Sequence, residues 1–331
     1  MNKFNSFLIL ALSFVIVSLL LSFALVNLGD NAIVKDQIGM GEKVYKVAKL
    51  LNPLNRNINT RLMIAKTIKE ERKGESEETD FDNKVISFGA NGPALSEANG
   101  QKAVLGVSIN VPVLMYHYIR INPWPEDKVG FNLSVTPNNF KSQMEYLSSH
   151  NYHTISLDEL GDAMLHGKKL PGKPIVITLD DGYRDSYTAA YPILKAHGLK
   201  AVDFVITGFV GGPNYLTWQQ ILEMKNSGVF TFGSHTVSHI ALTYATDLRI
   251  KEELENSKND LQAHLGYPVN WFAYPYGNVN KKVESLVPKS GYLGAFGTNN
   301  GTYHSKDAMF TLPRVRIGGG DTPATFVQKL P

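Results

Sequence analysis

The sequence predicts an α/β fold: a distorted (β/α) barrel of seven or eight units, preceded by an N-terminal transmembrane helix and a stalk. Three observations carry this expectation. Residues 7–26 are twenty consecutive positions without a charge. Residues 69–80 hold nine charges in twelve positions. From residue 111 onward, short apolar runs rich in β-branched side chains alternate with amphipathic helical segments, the pattern of parallel strands covered by helices.

At about 1.5 Å per residue, the apolar run is long enough for the roughly 30 Å hydrocarbon core of a bilayer. Lys3 precedes it, which favours a cytoplasmic N-terminus. A cleaved signal peptide is the competing reading, although its apolar core is usually only about 7–15 residues and ends in a small-x-small site. Both readings export the rest of the chain. The expected location is therefore the cell membrane, single-pass with an extracytoplasmic domain, or the exterior if the leader is cleaved. Residues 1–28 form this anchor, and residues 29–110 a partly disordered stalk. Within the stalk Val44, Val47, Ala48 and Leu51 have helical spacing, which Pro53 ends. The charged run and the Gly-, Asn- and Ser-rich residues 89–100 cannot bury enough apolar area to offset their ordering entropy.

The folded domain is expected over residues 111–331. Candidate strands are 111–116, 152–155, 175–179, 201–206, 229–232, 269–273, 294–297 and 314–317. Thr136 and Pro137 supply the N-cap and first turn of a helix ending near His150. Tyr187, Ala190, Tyr191 and Leu194 form a helical stripe, with a kink expected at Pro192. Ile250, Leu254, Leu261 and Leu265 face one way before Gly266. Trp124, between Pro123 and Pro125, belongs to a long loop over the barrel mouth. No glycine-rich phosphate loop is present.

Composition narrows the chemistry. The 331 residues carry a formal charge of +3, too small a surplus to argue for nucleic acid. There is no cysteine, which excludes disulfides, thiolate nucleophiles and Cys-ligated zinc, so any metal rests on His, Asp or Glu. Barrel chemistry collects at the C-terminal ends of strands, where four polar clusters occur: Met115-Tyr116-His117, Thr178-Leu179-Asp180-Asp181-Gly182, Gly233–His239 and Ala273-Tyr274-Pro275-Tyr276-Gly277. Adjacent Asp180 and Asp181 on an apolar strand require charge compensation; the plain alternative is an Asp-Gly turn. His235 and His239 are four apart, and one helical turn would bring both imidazoles to one face. Two His and one carboxylate provide three ligands and leave a position open for water.

These motifs, TLDDG, HTVSH and YPYG in this order and spacing, resemble the polysaccharide deacetylases of carbohydrate esterase family 4, the nodulation-deacetylase homology domain. The likeness covers roughly residues 111–325. VPVLMYHYI, AAYPILKAHGLKAVDFVITGFVG and LPRVRI look most like one branch, the poly-β-1,6-N-acetylglucosamine deacetylases of biofilm-forming bacteria and related exported enzymes. The resemblance implies a metal-dependent hydrolase acting on an acetylated aminosugar polysaccharide. It makes Asp180 the base, Asp181, His235 and His239 the ligands of a divalent metal, usually Zn2+, and the Tyr276 backbone N–H an oxyanion donor. Peptidoglycan, chitin oligomers or xylan are alternative substrates for the same site, and a glycan-binding pseudoenzyme is the alternative of another class. No protein partner is inferred.

The sequence departs from the family in two places. No late Leu-x-His motif supplies the acid, and the LMYH segment points instead to His117. No Arg precedes YPYG, where Phe272 and Ala273 stand, so Arg314 or Arg316 is expected to orient the base and Asp321 to tune His117. Tyr183, Trp218, Tyr274, Pro275, Arg314, Arg316 and Asp321 are candidates for the substrate groove, and Tyr183, Trp218 and Tyr276 are candidates to stack on sugar faces.

Overall fold

The computed structural model describes residues 38–51, 108–124 and 126–331. The chain divides into two units, residues 1–103 and 104–331. Of the first, the description covers one helix, α1 (Ile38–Leu51), on the stripe read from Val44, Val47, Ala48 and Leu51. The expected span at residues 7–26 and most of the stalk lie outside the described residues. No helix among the described residues is long and apolar enough to cross a membrane.

Seven parallel strands close the second unit into a ring: β1 (Val113–Tyr116), β2 (Pro174–Asp181), β3 (Ala201–Val205), β4 (Phe230–Ser234), β5 (Trp271–Ala273), β6 (Gly294–Asn300) and β7 (Leu312–Arg316). Each pairs with its sequence neighbour except that β1 joins both β2 and β7, which closes the barrel. The ring is distorted where β4 and β5 share a single pair, Ser234 with Phe272, and where the β6–β7 register shifts between Phe296 and Asn300. The candidate strand at 152–155 reduces to His153–Thr154, which pairs only beside the start of β2.

The helices α2 (Pro137–Ser149), α3 (Leu157–His166), α4 (Tyr191–Ala196), α5 (Trp218–Asn226), α6 (Asp247–Leu265), α7 (Lys281–Lys289) and α8 (Pro323–Gln328) follow the strands. Their ends obey local rules. Thr136 caps α2 by accepting Asn139 N at 3.2 Å, Ser156 and Glu159 form a capping box on α3, and Gly266 ends α6 at φ 72°. Pro192 does not kink a continuous α-helix. A π-helical segment over Ser186–Ala190, in which Tyr191 N reaches Ser186 O, runs directly into α4, and Pro192 with its missing N–H stands just after this change of helix type.

Alternation along the strands sorts the core into two layers. Val113, Val176, Val202, Phe204, Trp271, Phe296 and Leu312 fill the barrel interior. Leu114, Tyr116, Ile175, Ile177, Leu179, Ala201 and Val205 face the helices. The inward register continues from Val176 through Thr178 to Asp180, and from Leu312 through Arg314 to Arg316, so polar side chains surmount an apolar floor.

Gly233 lies on this floor. A Cβ there would stand 2.5 Å from two ring carbons of Phe204. Gly233→Ala should destabilise the protein by about 1–3 kcal/mol, read from urea unfolding; unchanged stability would show that the Phe204 ring yields freely.

Candidate active site

Asp180 ends the inward row of β2. Its carboxylate is buried and meets Arg314 in a two-toothed pair, Nη1 to Oδ1 and Nη2 to Oδ2, both at 2.7 Å. The guanidinium also donates to Thr178 Oγ1 at 3.1 Å and to Gly297 O at 3.1 Å, and lies over the Phe204 and Phe296 rings at 5.7 and 6.0 Å. Burial alone would raise the Asp180 pKa. The Arg314 charge and hydrogen bonds outweigh it and hold the carboxyl below its ordinary range. Phe272 and Ala273, where the family arginine is missing, are buried strand residues of β5. Asp180 is thus paired from β7 instead.

Asp181 would point away from Asp180 by strand alternation, but its φ of 81° turns the chain at this position. Its Oδ1 lies 3.3 Å from Nε2 of both His235 and His239. The two histidines do not share a helical turn: residues 235–239 form a loop in which Thr236 and His239 take positive φ, 68° and 55°. This loop meets the requirement that a helix was expected to meet.

Three features fit the trio to a divalent cation. One donor atom from each residue lies within 4.8 Å of the others. Asp181 Oδ1 is buried with no hydrogen-bond partner. His235 Nδ1 meets the Ala273 carbonyl at 2.7 Å, which fixes that nitrogen as the N–H and leaves Nε2 as the ligand. Two imidazoles and a carboxylate suit zinc and similar ions. Burial, with the charges of His235 and His117, pulls His239 down to about 4 despite Asp181, so it is a neutral donor at neutral pH. Burial also lowers His235, but the Asp181 carboxylate 3.3 Å away and the Asp180 charge outweigh it, and its pKa lies above the ordinary value. A cation held here would compete with a proton for the same nitrogen.

His117 stands at the end of β1 with its side chain 14% exposed and Nε2 4.0 Å from Asp180 Oδ2. Burial, aided by Arg314 and Arg316, lowers its pKa against the pull of Asp180 and Asp181. Arg316 is exposed at the end of β7, where burial of part of its side chain and the Arg314 charge lower its pKa against the pull of Asp180. Asp321 does not face His117: its carboxylate takes Gly318 N at 2.7 Å and Lys329 Nζ. Tyr276, at φ 59°, is 45% exposed; its ring lies 4.6 Å from that of His239 and its hydroxyl donates to His239 O at 3.3 Å.

The remaining groove candidates are engaged within the protein. Tyr183 stacks with Tyr118 at 3.8 Å and with Tyr215 at 5.2 Å. Trp218 stacks flat on His264 at 3.7 Å near the C-terminal end of α6. Tyr274 is buried, with its hydroxyl on Phe310 O at 2.9 Å. Pro275 is likewise buried beneath the Tyr276 turn. Trp124 stands exposed in its loop.

The comparisons with known proteins agree with this geometry. The polysaccharide deacetylase family model matches residues 167–295. A Bacillus subtilis protein described as a polysaccharide deacetylase is 32% identical over 216 residues, 65% of this chain and 74% of its own. The chain belongs to the polysaccharide deacetylase family. The Streptococcus pyogenes deacetylase PplD, solved with acetate, is 31% identical at a TM-score of 0.63, covering 68% of this chain and all of that one. A Staphylococcus aureus poly-β-1,6-N-acetyl-D-glucosamine N-deacetylase is 28% identical over 199 residues, 56% of this chain and 68% of its own.

In this polysaccharide deacetylase, Arg314→Met should strand the Asp180 carboxylate and destabilise the fold by about 3–5 kcal/mol at pH 7, measured by urea unfolding. The folded pKa of Asp180 is depressed, so the pair's contribution is full above the unfolded value of about 3.9 and fades as pH falls through the folded one. The deficit of the variant should shrink toward pH 3; a deficit that is constant with pH would mean that the pair is not what was lost.

Proposed function

We propose that this enzyme hydrolyses N-linked acetyl groups of an extracellular N-acetylglucosamine polymer with the help of a divalent cation, and that poly-β-1,6-N-acetylglucosamine is that polymer. The observation that carries the chemistry is one barrel mouth with a paired carboxylate, a three-donor ligand set and a histidine side by side. The Staphylococcus aureus relative, named for its action on poly-β-1,6-N-acetyl-D-glucosamine, supports the polymer.

Asp180 takes the proton of the attacking water. Arg314 keeps it ionised and fixes both of its oxygens, so the base is ready at neutral pH. Asp181, His235 and His239 would hold the cation, which when bound supplies Lewis acidity to the acetamide carbonyl and to water. The Tyr276 N–H, on a turn locked at positive φ, donates to the oxygen as charge develops there. His117 delivers a proton to the departing amine nitrogen. Its lowered pKa makes the imidazolium a readier donor while limiting its population at neutral pH.

The reading is tested by release of free amine from defined β-1,6 and β-1,4 N-acetylglucosamine oligomers, with and without a chelator. Chelator-sensitive release that favours the β-1,6 series is expected; equal or reversed preference would discard the polymer, and full activity in chelator the cation. Asp180→Asn should keep stoichiometric zinc and lose turnover. His117→Ala should lower kcat by about 10²–10⁴-fold, and a wild-type pH–rate profile in that variant would move the acid elsewhere. We propose too that residues 7–26 hold the enzyme at the outer face of the membrane. Membrane fractions should retain the full chain and not one lacking residues 1–28; equal partitioning would remove the anchor.

A further inference from the structure

The segment from His235 to His239 carries two residues at positive φ, Thr236 and His239, and Thr236 is β-branched, a conformation that such residues rarely adopt. Inside the loop, Thr236 Oγ1 accepts His239 N at 2.9 Å and donates to His235 O. The outside support comes from Glu253 on α6, whose side chain is fully buried. Its Oε2 accepts the N–H groups of Val237 at 2.8 Å and Ser238 at 2.9 Å. Its Oε1 accepts the Ser238 hydroxyl and faces the Arg249 guanidinium, which also donates to Ser238 Oγ at 3.0 Å.

The destinations of these contacts are specific. Among the described residues, the side-chain contacts of Glu253 reach Val237 and Ser238, two of the three residues between the histidines, and an arginine one turn back on α6. None ties α6 to another strand or helix. A buried, paired carboxylate is a poor source of net stability compared with apolar packing, whereas an unpaired buried amide N–H is expensive. A single carboxylate that accepts two successive N–H groups therefore selects one loop shape over others. That shape brings both imidazole Nε2 atoms to Asp181 Oδ1.

We propose that Glu253 is a positioning residue for the metal, holding the loop so that His235 and His239 are preset as ligands. This rests on the reading that Asp181, His235 and His239 hold a divalent cation. Partners that orient metal ligands from behind typically change affinity by about 10–100-fold.

The test is zinc affinity of the full chain, measured by competition with a chromophoric chelator, in wild type and in Glu253→Gln. The variant should bind zinc about 10–100-fold more weakly, melt near the wild-type temperature when metal-free, and recover kcat at saturating zinc. A lower melting temperature with zinc affinity within twofold of wild type would make Glu253 a merely structural residue and overturn the proposal. If Glu253→Gln does not fold, Ser238→Ala removes the hydroxyl's contacts with Glu253 and Arg249 while leaving both backbone N–H bonds to Glu253, and should weaken zinc by about 3–10-fold; unchanged affinity there would equally overturn it. A wild-type chain that binds no zinc would instead bring down the cation reading on which the proposal rests.

Discussion

Two adjacent carboxylates, Asp180 and Asp181, are buried at the end of an apolar strand, and the whole barrel mouth is organised around keeping both ionised. Isolated charges in such a setting would take up protons. The two are compensated by different means. Asp180 is closed off by a guanidinium that fills both of its oxygens. Asp181 faces two imidazoles and keeps one oxygen without a hydrogen bond. The first arrangement suits a base with a fixed orientation, and the second leaves room for a cation. A backbone turn at Asp181, φ 81°, makes the separation possible, because neighbours on a regular strand would face opposite ways.

The floor beneath the site matters to the same balance. Arg314 rises from between the Phe204 and Phe296 rings, so its charge is shielded from water below and reaches Asp180 above. A low-dielectric floor strengthens that attraction and would equally punish its loss. Gly233 keeps the Phe204 ring in place by having no side chain. Thr178 donates to Leu114 O at 2.7 Å and receives Arg314 Nη1, linking the pair to the backbone of β1. The apolar packing and the ionisation of the base are therefore one structural problem.

Much of this was legible in the sequence, and what was not has physical reasons. The strands announced themselves because buried parallel strands are continuous apolar runs, and the two Asp and two His stood at strand ends. The shape of the His loop was hidden, since spacing by four suggests a helix whereas Thr236 and His239 adopt positive φ. The surroundings of the aromatic candidates were hidden for a different reason. Tyr183, Trp218 and Tyr274 have the right chemistry for sugars, but whether a ring face is free depends on tertiary neighbours such as Tyr118, Tyr215 and His264. Glu253 lies in the charged run of α6 and looks like a solvent-facing residue. The available signal was its place on the stripe with Ile250, Leu254, Ser257 and Leu261, all of which are buried.

The sequence pointed to His117 and left Arg314 and Arg316 open as partners of Asp180, and barrel closure explains how residues so far apart in the chain meet it. In an open sheet the first and last strands are far apart, so order along the chain constrains which residues meet. In a closed ring they are neighbours. Here β1 pairs with both β2 and β7, and this places His117 one stave from Asp180 and Arg314 two staves away, within reach across the interior. Residues near the two ends of the domain thus converge on a base near its middle, and Arg314 meets Asp180 across a sequence separation of 134. A closed barrel can therefore draw its acid and its orienting cation from either end of the chain without moving the base. The absence of a motif from its customary place in the sequence then says little about the chemistry until the strands that close the ring are known.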